Sequence, residues 1–224
     1  MATKQAASDL PFQLQENEVM NAWERLVCGV GLPADTVRAV IEHSWARCHS
    51  AGVDPAATRA PSPTSDEGFG RLLDRFRDVI DVSVPVMEQV RESLSESGTI
   101  MILTDPSGVI LKTEGDPATL EAAADVRLVN GANWDELVCG TNAIGTALSL
   151  RAPVQVHAAE HFCAGIKPWS CSAVVLRDPA CGEILGVLDV SGLSGRFHRN
   201  WLALAMMTAG RIEAELAARQ MESR

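Results

Sequence analysis

Cys139, His157, His161, Cys163 and Cys171 fall within one stretch of a 224-residue chain, with Phe162 and Trp169 among them. Imidazoles and thiols are the groups that transition metals take as ligands and that redox and nucleophilic chemistry employs. Spacing narrows the choice. No Cys-x-x-Cys occurs, so neither a zinc ribbon nor a thioredoxin-type motif is present, and the His/Cys spacing matches no standard ligand set. Metal or haem ligation by His157, His161, Cys163 and Cys171 stays as an alternative. Cys139 stands just before a helix expected from Thr141, where the helix dipole acidifies a thiol, so Cys139 and Cys163 are the candidate redox residues. A plain core role is the alternative for both.

The run G-T-N-A-I-G-T (140–146) has the outline of a phosphate loop. It lacks the lysine after its second glycine, and no strand leads into it. It reads instead as a capped helix start with small residues for close packing, Thr141 as the N-cap and Asn142 turned inward. Asp189 sits inside the apolar strand G-V-L-D-V-S-G, a place where an acid is expected either on an exposed face or capping neighbouring backbone. No Ser–His–Asp or Cys–His set is recognisable, so no catalytic residue is assigned. What remains is a pocket wall for a small polar ligand: Trp134, Asn142, His157, His161, Phe162, Cys163, Trp169 and Cys171. Neither a resident metal nor another cofactor is expected.

These residues need elements to hold them. Helical spacing of Val37, Val40, Ile41, Trp45 and Cys48 predicts a helix over 34–49, capped by Asp35 or Thr36. A Pro- and Ser-rich loop follows at 54–65. A longer helix is predicted over 66–97, with Pro85 placing a kink near Ser83. At Gly98 the period changes to two, and T-I-M-I-L-T and G-V-I-L-K-T joined by Asp105-Pro106-Ser107-Gly108 predict a hairpin. A short helix over 116–124, a helix over 141–150, strands over 153–157, 171–177 and 184–190, and an amphipathic helix over 196–221 complete the order. Antiparallel strands with helices on their faces define an α+β fold. The two long helices leave apolar stripes that suit a homodimer.

Composition bounds the rest. The chain is 46% hydrophobic, enough for a core, and its formal charge is −10, which opposes direct nucleic-acid binding. Six cysteines in a chain with no apolar leader segment are expected as free thiols, and the cytoplasm is the expected address. No apolar run is long enough to span a membrane.

Taken together, C-G-T-N-A-I-G-T-A-L, P-V-Q-V-H-A-A-E-H-F, C-S-A and G-V-L-D-V-S-G resemble the N-terminal GAF sensor domain of acetoin-catabolism-type (AcoR-like) activators, which work with sigma-54 polymerase. The upstream I-E-H-S-W-A-R-C-H-S-A-G-V-D-P resembles their leader, so the similarity runs over about residues 37–216. The resemblance implies a GAF fold: a central antiparallel sheet flanked by helices, with a flexible arm at 1–18, a helical leader at 19–65 and the sensory domain at 66–224. It also implies a small organic effector (an alcohol, ketone or acetoin-like compound) that controls AAA+ and DNA-binding modules in a longer polypeptide. This chain carries neither a Walker A sequence nor a G-A-F-T-G-A loop. The C-G-T element is similar, too, to that of GAF-type free methionine sulfoxide reductases, which implies nucleophilic and resolving roles for Cys163 and Cys139. Val129 stands near the place of that family's third cysteine.

Overall fold

The computed structural model describes residues 12–33, 35–94, 97–198 and 200–222. Eight α-helices and five strands follow in the order α1 (Phe12–Val27), α2 (Ala39–Ser50), α3 (Asp66–Arg75), α4 (Arg77–Leu94), β1 (Thr99–Thr104), β2 (Ile110–Gly115), α5 (Pro117–Asp125), α6 (Glu136–Cys139), α7 (Ala143–Leu150), β3 (Val154–His157), β4 (Trp169–Arg177), β5 (Ile184–Leu193) and α8 (Trp201–Glu222). The sheet has the order β2-β1-β5-β4-β3 and every pairing is antiparallel, so the chain is α+β as expected.

Period-two alternation gives the sheet two faces. On one, Leu188 and Val190 of β5 and Val174 and Leu176 of β4 pack with Val82, Val86 and Met87 of α4 and with Trp201, Ala205 and Ile212 of α8. On the other, Val187 of β5 and Cys171, Ala173 and Val175 of β4 pack with Ala143, Ile144 and Ala147 of α7 and with Ile41, Trp45 and Cys48 of α2. The leader therefore shares a core with the sheet.

Four expectations about the helices need correction. Asp35 takes a positive φ of 58° in a turn and caps nothing; α2 starts at Ala39 after Arg38, whose side chain is instead drawn onto Glu160 by Nε and Nη2 hydrogen bonds of 2.7 and 2.6 Å. The long helix over 66–97 is two helices that part at Phe76, and Pro85 lies inside α4 without ending it. The break falls where packing changes: α3 has no buried residue, whereas α4 lies on the sheet. Of the arm expected at 1–18, residues 12–18 belong to α1, and residues 1–11 lie outside the described residues. The cap of α7 is Asn142, not Thr141; its Oδ1 accepts from Gly145 N at 2.9 Å.

Thr141 is engaged elsewhere, in the junction that fixes the leader. Glu136, 2% exposed, accepts from Arg47 Nε at 2.7 Å, Arg47 Nη2 at 2.9 Å and Thr146 Oγ1 at 2.9 Å, and also from Ser44 Oγ. Thr141 Oγ1 lies 2.6 Å from Ser44 Oγ and 3.6 Å from Cys48 Sγ. Ser44, Arg47 and Cys48 are thus the leader's half of a polar lock whose other half is the start of the C-G-T-N segment. Removing one partner from such a buried ion pair leaves desolvated groups unsatisfied. Glu136→Ala should lower unfolding free energy by about 3–5 kcal/mol in urea titration. A loss under about 1 kcal/mol would show that the lock does not hold the leader.

Candidate functional site

A segment rich in turns, 157–168, links β3 to β4 and carries most of the histidine and cysteine chemistry. The leader clamps it by its carbonyls. Trp45 Nε1 donates to Glu160 O at 2.7 Å, and Trp23 Nε1 donates to Phe162 O at 2.8 Å. Ala164 N and Gly165 N donate to Pro55 O and Ala57 O at 2.9 and 3.0 Å. Lys167 lies 4.1 Å above the Trp23 ring and donates to Ala159 O and His161 O at 2.9 and 2.6 Å. Burial pulls its ammonium down to about 7.

Between this segment, the leader and the sheet lie two small cavities. The outer one is lined by Ala57–Ala60, Val126, Val138, Cys139, Cys163, Trp134 and Ile166, and leaves about 20 Å³ to the centre of a water molecule. The inner one, about 10 Å³ by the same measure, is lined by Leu128, Asn142, Ala143, Ile144, Cys171, Asp189 and Ser191, with Trp134 and Ile166 again. Trp134 and Ile166 are therefore the partition. The Trp134 indole is held by Nε1 donating to Arg127 O at 3.1 Å. Its backbone is pressed on α7: a Cβ on Gly145 would stand 2.8 Å from Trp134 O and 2.3 Å from Glu136 N, so only glycine fits.

The eight residues expected in one pocket separate into groups. Trp134, Asn142, Cys163 and Cys171 line the cavities. Phe162 and Trp169 are buried in the same core but border neither cavity. His161 is fully buried, its Nδ1 3.1 Å from Ala158 O, and burial lowers its pKa to about 3, so the ring is neutral. His157 projects from the opposite face of β3, where its ring meets Phe197 edge-on at 4.2 Å. Val156 next to it points into the cavity-side core.

Cys139 closes α6 instead of preceding α7, so the expected dipole does not act on it. Gly140, with φ of 72°, Thr141 and Asn142 intervene before α7. Its Sγ donates to Asn133 O at 3.1 Å, and burial, then Cys163 and Asp135, push the thiol up to about 12. Burial does the same to Cys163, whose Sγ donates to Asp54 O at 3.3 Å. Both are thiols at neutral pH, the less nucleophilic form. Among the described residues, no group of three or more His, Cys, Asp or Glu is placed to hold a metal ion.

The residue that the pocket assignment left out is Asp189. It is 0% exposed, where an exposed face was one of two expectations. One carboxyl oxygen, Oδ2, accepts from Ser191 Oγ; the other, Oδ1, has no hydrogen-bond partner among the described residues. Burial pushes the pKa up to about 7, with the Ser191 hydroxyl and Ser172 backbone working the other way. The sequence signal was an acid in the middle of G-V-L-D-V-S-G, an expensive place for an unneeded charge.

The family described as MimR, N-terminal domain, matches residues 16–214. The chain is 36% identical to an uncharacterized 47.3 kDa protein in the thcA 5′ region of Rhodococcus erythropolis, over 86% of this chain and 44% of that protein. It is 31% identical to the acetoin dehydrogenase operon transcriptional activator AcoR of Bacillus subtilis, over 91% of this chain and 33% of AcoR. The chain thus spans less than half the length of these relatives. Its fold matches the crystal structure of the E. coli DhaR(N)–DhaL complex with a TM-score of 0.79 at 20% identity, over 83% of this chain and 63% of that one. The architecture is the α+β GAF fold.

Asp189 sets a pH dependence. Its folded pKa of about 7 lies above the ordinary 3.8, so the folded chain keeps a proton that the unfolded chain has lost. The stability this group contributes is full below about pH 4 and is lost as pH rises toward 7. Asp189→Asn should flatten that decline, making the variant the more stable of the two above pH 7 in thermal unfolding. Parallel curves for the two proteins between pH 4 and 8 would contradict it.

Proposed function

Because this chain belongs to the MimR N-terminal domain family, we propose that it is the sensory part of a transcriptional regulator, taking a small organic effector into the space beside Trp134 and passing its occupancy to AAA+ and DNA-binding modules elsewhere in a longer polypeptide. The observation that carries this reading is the pair of internal cavities on the leader side of the sheet, divided by Trp134 and Ile166 and closed by the loop at 57–60. Neither cavity alone holds more than a water or two. An effector of four or five heavy atoms fits once Trp134 or Ile166 moves, which joins the two spaces and couples binding to displacement of the loop and the leader. Charge supports a role without direct nucleic-acid contact. No helix among the described residues is long and apolar enough to cross a membrane.

Occupancy reaches the rest of a regulator through α8, which packs on β4 and β5 from the other face. Ala203, Met207, Gly210, Ala214 and Met221 lie along its exposed side at spacings of three, four and seven, the repeat of a helix-pairing seam. Met207 and Met221 are 75% and 71% exposed. This supports a homodimer through the terminal helices.

Thermal-shift and calorimetric titration of the chain with short alcohols, ketones and acetoin should find a binder that Trp134→Ala weakens at least about tenfold. A panel in which nothing binds the unaltered chain overturns the sensory reading. Met207→Glu should convert a dimer to a monomer by light scattering, and an unaltered chain that is monomeric at all concentrations rules the pairing out.

A further inference from the structure

We propose that Asp189 is the recognition point of the inner chamber and that it selects a neutral ligand with a single hydroxyl or carbonyl oxygen on a short apolar skeleton. This deepens the sensory reading above and rests on it. The inner chamber has three polar side chains in its wall, and two have their hydrogen bonds filled. Asn142 spends Oδ1 on Gly145 N at 2.9 Å and Nδ2 on Trp134 O and Gly140 O at 3.0 and 2.8 Å. Ser191 donates to Asp189 Oδ2. Asp189 Oδ1 alone among the polar side-chain atoms of the chamber wall lacks a partner among the described residues.

A fully buried polar atom with no partner costs free energy, and a ligand that satisfies it recovers that cost. As a carboxylate, Oδ1 accepts a hydroxyl proton; as a carboxylic acid, it donates to a carbonyl. The remaining wall, formed by Leu128, Trp134, Ala143, Ile144, Ile166 and Cys171, is hydrocarbon, indole and one thiol. A second hydroxyl on the ligand would be desolvated against it with only a thiol, a weak hydrogen-bonding group, to meet, which disfavours diols and polyols. An ammonium brings three donors to one acceptor and is disfavoured for the same reason. Tandem polar recognition is absent here by construction: one orphan oxygen reads one oxygen.

The test uses the 224-residue chain with 2-butanol, 2,3-butanediol and 2-butylammonium in calorimetric titration, alongside Asp189→Ala, Asp189→Asn and Trp134→Ala. 2-Butanol should bind the unaltered chain at least about tenfold more tightly than the other two. Asp189→Ala should weaken it about 10- to 100-fold, and Asp189→Asn, which restores a polar oxygen in the same place, should recover part of that loss. Thermal unfolding of each variant shows that it is folded before titration. Preference for the diol or the ammonium overturns the ligand class. Equal affinity of Asp189→Ala and the unaltered chain overturns the role of Asp189; if Trp134→Ala still loses binding, the sensory reading survives that result. If none of the three probes binds the unaltered chain, the proposed class is wrong, and the wider panel above decides the sensory reading separately.

Discussion

A carboxyl group at 2% exposure is tolerated in a protein interior only where donors surround it, and Glu136 is so surrounded. Its partners come from two places far apart in the chain: Ser44 and Arg47 on α2, and Thr146 on α7. Satisfying one side chain therefore fixes three elements at once. With α2 in place, Trp45 reaches Glu160 O and the loop after α2 reaches the 163–165 backbone, which closes the outer cavity. With α7 in place, Gly145 seats the backbone of Trp134, the residue that divides the two cavities. The site beside Trp134 depends on that one buried carboxyl group being met by the leader's donors.

The sheet supplies the second constraint. Its helix-packed face, lined by Leu188, Val190, Val174 and Leu176, is filled by α4 and α8, and its buried acid, Glu114, is paired with Arg91 and Lys112. The other face departs from that plan at Asp189, Ser191 and Cys171, and there the packing leaves space. On this face a void and an unpartnered carboxyl oxygen, Asp189 Oδ1, fall together. An ordinary packing defect is apolar and lacks a polar atom to satisfy; this one has such an atom in its wall.

Local signals in the sequence were enough for the strands and for the short helix α5. T-I-M-I-L-T before a D-P-S-G turn is β1 of a hairpin, and Asp116 ahead of Pro117 caps α5 with its carboxylate on Thr119 N. Parity along P-V-Q-V-H could have set His157 opposite Val156, but the chemistry of imidazole drew it into the pocket list. Pro85 was read as placing a kink near Ser83, and α4 continues through it with Val82, Val86 and Met87 packed on the sheet. Thr141 and Asn142 are both good caps, and only the position of Ser44, nearly a hundred residues upstream, takes Thr141 away. The same distance hid the Glu136 lock, since nothing in S-W-A-R-C names its partner. Asp189 was visible as an oddity; its meaning required knowing that Ser191 occupies one oxygen and nothing in the described chain occupies the other.

The alternation of β5 has a consequence for how such a protein can change over time. Residues 187, 189 and 191 face the leader-side core and its chamber, whereas 188 and 190 face α8. The two faces are written on alternate letters of one strand. A substitution at an odd position alters the wall of the chamber while leaving the contact with α8 in place, and a substitution at an even position alters that contact without touching the chamber. The wall of the chamber can then vary one letter at a time against an unchanged contact with α8.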